Sequence, residues 1–400
     1  MSPFRIFGFV SSVVVLPLRL LPSHRVGRIV CGAILALTLT AGWHAMFIYQ
    51  SSFECDGIHR LECLAAKLRE QTEKEGIAAA LVSFAKLYDD PAFSKDCHAI
   101  AHEIGKGAYE RYKRGEKLEA VSELSYCSYG FYHGFLEAMV PDTGDPKSGR
   151  ELCEKLQEEV TDGRSVIGPC LHGFGHGVTD GTNPELWGSF ERMAQPSLEI
   201  CKKIARSDDE KTLCAGGVFN ALSLLLHDKK YGLPNDAAQP YAFCFEQSDP
   251  QYREACFRNF HTSAAYLNKQ KFFPVAHNIE TFDDRDAFHA LDNFSTYQAR
   301  LMVEPYTNPY IAAFCYSLEE RLHSTCINGF AVGLLIFGEP GQEYERALSL
   351  CESETIRDKD KEPCFRRVLD ISKQQYGTKI YKKICDLVST HFRYLCEQSR

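Results

Sequence analysis

Two kinds of apolar pattern run along this chain of 400 residues. The first is a continuous block, IVCGAILALTLTAGWHAMFIYQ (29–50), which carries no charge and is long enough to span a bilayer. A shorter apolar stretch, FGFVSSVVVLPL (7–18), precedes it and ends at Pro17 and Arg19. The second pattern fills residues 51–400, where helical apolar stretches alternate with short polar links punctuated by cysteine. One cysteine closes an apolar stretch, as in AFC (242–244 and 313–315) and SLC (349–351). A polar link follows, as in QYREAC (251–256) or DEKTLC (209–214), and its last cysteine opens the next helical stretch.

Aligning those second cysteines exposes a repeat of about 40 residues, the period of a helical hairpin. CSYGFYHGFLEA (127–138), CLHGFGHGVTDG (170–181) and CINGFAVGLLIF (326–337) share C-x-x-G-F-x-x-G. CAGGVFNALSLL (214–225) differs conservatively, CFRNFHTSAAYL (256–267) more so, and CHAIAHEIGKGA (97–108) is a divergent first member. The expected fold is therefore all-α: an αα-hairpin repeat, solenoid or α/α-toroid-like, stapled by disulfides and preceded by an N-terminal transmembrane helix. The expected bridges join Cys153 with Cys170, Cys201 with Cys214, Cys244 with Cys256, Cys315 with Cys326, Cys351 with Cys364 and Cys385 with Cys396. Nearer the N-terminus, a pairing of Cys55 with Cys63 and Cys97 with Cys127 competes with one of Cys63 with Cys97. Small residues three and seven after the cysteine (Gly130 and Gly134, Gly173 and Gly177, Gly217 and Ala221, Gly329 and Gly333) share one helix face and would let backbones approach closely. The stretch 268–308 lacks the pattern and reads as an inserted loop, short helices or a lid.

Charge and cysteine content place this body outside the cytoplasm. The first fifty residues hold four arginines (Arg5, Arg19, Arg25, Arg28), no lysine and no acid. The formal charge of −8 thus leaves about −12 for the remainder, which disfavours nucleic acid as a partner. Basic residues before the apolar span keep its N-terminal side cytoplasmic. The division is a cytoplasmic or interfacial segment 1–28, a signal-anchor 29–50 and a body 51–400 in the periplasm, extracellular space or ER/Golgi lumen. Sixteen of the 17 cysteines follow the span, an even number suited to disulfides in an oxidising compartment.

Candidate chemistry concentrates in the first three copies of the repeat. Six residues after the cysteine stand Glu103, His133, His176 and Asn220, predicting a polar ladder across neighbouring helices. His98, His102 and Glu103 form H-x-x-x-H-E; His133 and Glu137 form H-x-x-x-E; His172, His176 and Asp180 form H-x-x-x-H-x-x-x-D. Residues four apart share a helix face. Imidazole with carboxylate suits zinc or iron(II), so His98, His102, His133, His172 and His176 are the candidate ligands. Glu103, Glu137 and Asp180 are candidate general bases or further ligands, and Tyr129, Tyr132 and Asn220 candidate contacts for a small molecule or glycan.

The H-x-x-x-H-E order is not the metalloprotease H-E-x-x-H, and no phosphate-binding or nucleophile-elbow motif is present. His59, His227, His277, His323 and His391 read as ordinary helix histidines, with His261 and His289 intermediate. Three functions compete. The first is a membrane-anchored extracytoplasmic metalloprotein, as hydrolase or oxidoreductase. The second is a metal-free glycan-processing enzyme, and the third a repeat scaffold for a protein partner. Thiol titration of the denatured full chain checks the cysteine reading. One free thiol is expected, from Cys31, and several would contradict it.

Overall fold

The computed structural model describes Cys55 and residues 59–87, 91–118, 121–179, 181–302 and 307–398. The apolar block 29–50 lies outside these residues, and among them no helix is long and apolar enough to cross a membrane. The chain divides into Met1–Arg60 and Leu61–Arg400, and the fold below is that of the second unit.

The described residues are helical and contain no strand. In order they form α1 (Arg60–Glu75), α2 (Ile77–Lys86), α3 (Pro91–Lys113), α4 (Tyr126–Thr143), α5 (Pro146–Glu159), α6 (Ile167–Gly177), α7 (Phe190–Ile204) and α8 (Asp208–Leu225). There follow α9 (Ala242–Phe245), α10 (Pro250–Asn259), α11 (His261–Leu267), α12 (Phe272–Ile279), α13 (Asp284–Ala299), α14 (Asn308–Tyr316) and α15 (His323–Phe337). The last are α16 (Glu343–Glu352), α17 (Asp358–Gln375), α18 (Thr378–Leu387) and α19 (Tyr394–Gln398).

Helix character alternates. Helices α5 and α7 are amphipathic and cover one side, whereas α4, α8 and α15 are buried on most faces. The buried helices touch in series: α3 on α4, α4 on α6, α6 on α8, α8 on α10, α10 on α13, and α13 on α15. Helix α15 also touches α4, the second member of the series. The phenylalanine of each C-x-x-G-F segment (Phe131, Phe174, Phe330) is core, at most 2% exposed.

All six expected hairpin staples are present, each tying one helix to the next. Cys153 of α5 is bonded to Cys170 of α6, and Cys201 of α7 to Cys214 of α8. Cys244 of α9 is bonded to Cys256 of α10, and Cys315 of α14 to Cys326 of α15. Cys351 of α16 is bonded to Cys364 of α17, and Cys385 of α18 to Cys396 of α19. Cys97 and Cys127 are also bonded and link α3 to α4, which rules out the rival pairing of Cys63 with Cys97. Cys55 and Cys63 are both disulfide-bonded.

Over its described residues the segment 268–308, expected to be a loop, short helices or a lid, is helical. It forms α12 and α13, and α13 sits between α10 and α15 with Ala290, Leu291 and Phe294 fully buried. It is a member of the helical series that dispenses with a cysteine.

The small residues bring backbones together. A Cβ at Gly134 would collide with the carbonyl oxygen of His102, and one at Gly130 would come within 2.5 Å of that of His98. Gly173 and Gly177 stand likewise against the carbonyls of Tyr132 and Leu136, and Gly217 against that of His172. Gly175 falls outside the spacing of three and seven, yet it packs too. It faces the other way, against the Cys214 carbonyl of α8. Because the obstacle is backbone, no side-chain rotation relieves it. Gly134→Ala should therefore destabilise the protein by about 1–3 kcal/mol, as overpacking does. This would hold although alanine is intrinsically better in a helix by about 1 kcal/mol. A denaturation midpoint unchanged or raised would contradict this packing.

Candidate metal centre

The close approach of α3, α4 and α6 gathers five histidines and one carboxylate. His98 and His102 come from α3, His133 and Glu137 from α4, and His172 and His176 from α6. Their rings are in contact: His98 to His133 at 4.9 Å between centroids, His133 to His172 at 4.9 Å, and His133 stacked on His176 at 4.4 Å. His102, His133 and His176 are buried, and His98, His133 and His172 reach a cavity.

Three of the rings are oriented by what their Nδ1 meets. A carbonyl or carboxylate oxygen can only accept, so a nitrogen bonded to one must carry the proton. His98 Nδ1 donates to the Cys127 carbonyl at 2.7 Å. His102 Nδ1 donates to Glu137 Oε2 at 3.2 Å, and His176 Nδ1 lies 3.3 Å from Glu137 Oε1. One carboxylate thus holds two imidazoles, one from each flanking helix. All three rings are left with a bare Nε2, the arrangement by which outer carboxylates and carbonyls orient metal-ligating histidines.

Those bare nitrogens converge. His98 Nε2 lies 3.2 Å from His102 Nε2 and 3.2 Å from His133 Nδ1. Of these three atoms only the His133 nitrogen has a proton to offer, so at least one pair of lone pairs faces without a hydrogen between. His176 Nε2 is buried with no hydrogen-bond partner among the described residues. Two nitrogens bound to one tetrahedral zinc, each at about 2.0–2.1 Å, stand about 3.4 Å apart. The observed spacing is that of ligands to a shared ion. Two triads have one nitrogen per residue within 4.8 Å of each other: His98, His102 and His133, and His133, His172 and His176.

Burial favours the neutral ring, the state a ligand needs. Loss of hydration pushes the His98 imidazole down to about 3, reinforced by neighbouring His102. His133, His172 and His176 are lowered for the same first reason, with the crowd of other histidines adding to it. Burial alone would raise the Glu137 carboxyl, but the hydrogen bonds from His102 and His176 outweigh it and hold the carboxylate ionised.

The Cys127 carbonyl is presented to His98 by an unusual turn. Cys127, Ser128 and Tyr129 all take left-handed conformations, with φ of 51°, 59° and 61°. Such residues cost roughly 1–2 kcal/mol each, and strain of this kind concentrates at functional sites. No cysteine or glycine spacing signals it.

The cavity beside the histidines has a volume of about 640 Å³, within the range of small-molecule sites. His98, His133 and His172 form part of its wall, with Tyr129, Asn220, Asn259, His261 and Arg300 elsewhere around it. Arg300 lies in the segment expected to be a loop, short helices or a lid. Its Nη2 donates to Gln270 and to Tyr297 at 2.8 Å each, its Nε is buried without an acceptor, and among the described residues no carboxylate pairs with it.

The remaining expectations divide. Tyr129 and Asn220 line the cavity, whereas Tyr132 is buried against Phe131. Glu103 is not brought into the cluster. Its carboxylate faces the cations Lys106, at 2.6 Å, and Arg69, at 3.5 Å. The first member of the column is instead His102, one residue earlier. Asp180 lies outside the described residues. Of the histidines read as ordinary, His277 pairs with Glu280 and His323 donates to the Leu318 carbonyl, while His227 and the intermediate His261 line the cavity. No protein-family model, no curated protein and no solved structure matches the chain.

The lowered imidazoles give a pH signature. Between the ordinary histidine value near 6.5 and the folded values, the unfolded chain binds more protons, so stability falls as pH falls. With metal chelated, the melting temperature should stay level above about pH 7 and drop steadily below about 6.5. A profile flat from pH 7 to pH 5 would contradict the burial of neutral rings.

Proposed function

We propose that this protein is an extracytoplasmic metalloprotein whose histidine–carboxylate cluster binds a transition ion, zinc or iron(II), at the wall of the cavity. The reading is carried by one observation: His98 Nε2 lies 3.2 Å from both His102 Nε2 and His133 Nδ1, with at most one proton among the three nitrogens. Residues 29–50 anchor the chain in a membrane, N-terminus cytoplasmic. Cysteines oxidised along the whole body support an oxidising compartment. The body is an αα-hairpin ring, a reading supported by the return of the contact series from α15 to α4.

An enzyme follows from the same site. Held by these histidine nitrogens at the cavity wall, an ion would supply Lewis-acid chemistry, or redox chemistry if it were iron. Glu137 keeps two ligands in the productive tautomer and balances charge, acting as a positioning residue. A small-molecule substrate in the cavity would meet the histidine wall on one side and the unpaired Arg300 guanidinium on another. Asn220, Asn259 and Tyr129 in the same wall also suit a sugar, which keeps metal-free glycan processing as the second reading.

Metal analysis of the full chain, purified from an oxidising compartment, tests this reading. At least one ion per chain is expected, lost in the double variant His133→Ala with His176→Ala. Glu137→Gln should weaken zinc binding about 10–100-fold with the fold intact, because an amide nitrogen cannot accept from an imidazole N–H. Sub-stoichiometric metal insensitive to these substitutions would overturn the metalloprotein reading. Chelator-resistant glycan binding would favour the second.

A further inference from the structure

We infer that the cluster is a two-ion centre in which the His133 imidazole bridges the metals, an inference that rests on the metalloprotein reading above. The two histidine triads share one residue, His133. Its Nδ1 points at His98 Nε2, 3.2 Å away, on the α3 side. The bridge assigns its other nitrogen, Nε2, to the ion shared with His172 and His176 of α6. His176 lies against the same ring, 4.4 Å away between centroids.

Glu137 repeats this division. Oε2 holds His102 of the first triad, and Oε1 holds His176 of the second. One carboxylate therefore sets the tautomer of one ligand on each side of His133. Five histidines around one ion would exceed the four positions zinc usually fills, and His102 and His176 are 6.1 Å apart between centroids. Divided between two ions, the same side chains supply three nitrogens to each and leave each a position open. His98, His133 and His172, the three that reach the cavity, place that open side toward it.

A neutral imidazole carries one N–H, so coordination through both nitrogens of His133 releases that proton to solvent and leaves an imidazolate of charge −1. With ionised Glu137, two negative charges then oppose the four positive charges of two divalent ions. The net charge of +2 favours hydroxide or an anionic ligand at the open positions.

Copper(II) serves as the probe, because it occupies nitrogen sites more strongly than the other divalent ions of the series and carries an unpaired electron. The full chain is stripped, loaded with copper(II), and counted for metal and for electron-spin-resonance intensity. Two copper ions per chain are expected, with integrated spin far below two because an imidazolate couples them antiferromagnetically. His98→Ala and His172→Ala should each keep one ion, with a full one-spin signal. One copper per chain in the native protein, abolished equally by both substitutions, would overturn the bridge and leave the metalloprotein reading standing. Two copper ions with two full spins would likewise overturn the bridge. No bound copper would overturn both.

Discussion

The contact between a glycine on one helix and a carbonyl oxygen on the next governs this structure. Helix axes usually stand about 8–10 Å apart, with the spacing set by the side chains between them. Here the side chains are removed at the point of contact. The carbonyls involved belong in part to the histidines themselves: Gly130 sits on His98, Gly134 on His102 and Gly217 on His172. Helix packing and ligand placement are therefore one event. Any group added at those glycines would displace the backbone that carries a candidate ligand. The hairpin disulfides act in concert, with Cys170, Cys214, Cys256 and Cys326 tying each buried helix to the segment that precedes it.

Bringing five imidazoles together out of water is costly, and the electrostatics show how the fold manages it. Lost hydration holds His98, His133, His172 and His176 neutral, while Glu137 stays ionised because two imidazole N–H groups donate to it. The left-handed turn at Cys127–Tyr129 provides a further acceptor for His98. What the protein leaves unsatisfied is a set of lone pairs aimed inward, which a cation would complete. Unpaired buried polar groups are rare in native proteins, and here His176 Nε2 is one, behind the cavity wall formed by His98, His133 and His172.

Much of this was legible in the chain. Cysteine spacing identified the bridges because each closes a short polar link between two apolar stretches. The small positions at three and seven identified a packing face, and the histidines at i, i+4 identified a common surface. Other features resist such a reading for physical reasons. Glu103 and His102 are neighbours on a helix, so a shift of one residue in the divergent first copy decides which of them faces inward. Helix α13 fills a place in the series without cysteines, which hid both the helix and Arg300. Gly175 packs forward where its neighbours pack backward, a distinction invisible to spacing. The left-handed turn involves a cysteine, a serine and a tyrosine, none of which announces that conformation.

X-ray absorption at the metal edge of the zinc-loaded protein tests the central claim most directly, since it reads the atoms around the ion. About three imidazole nitrogens per zinc at about 2.0–2.1 Å are expected, with the outer-shell scattering that rigid rings produce. A first shell of oxygen without imidazole scattering, or no retained zinc at all, would contradict it.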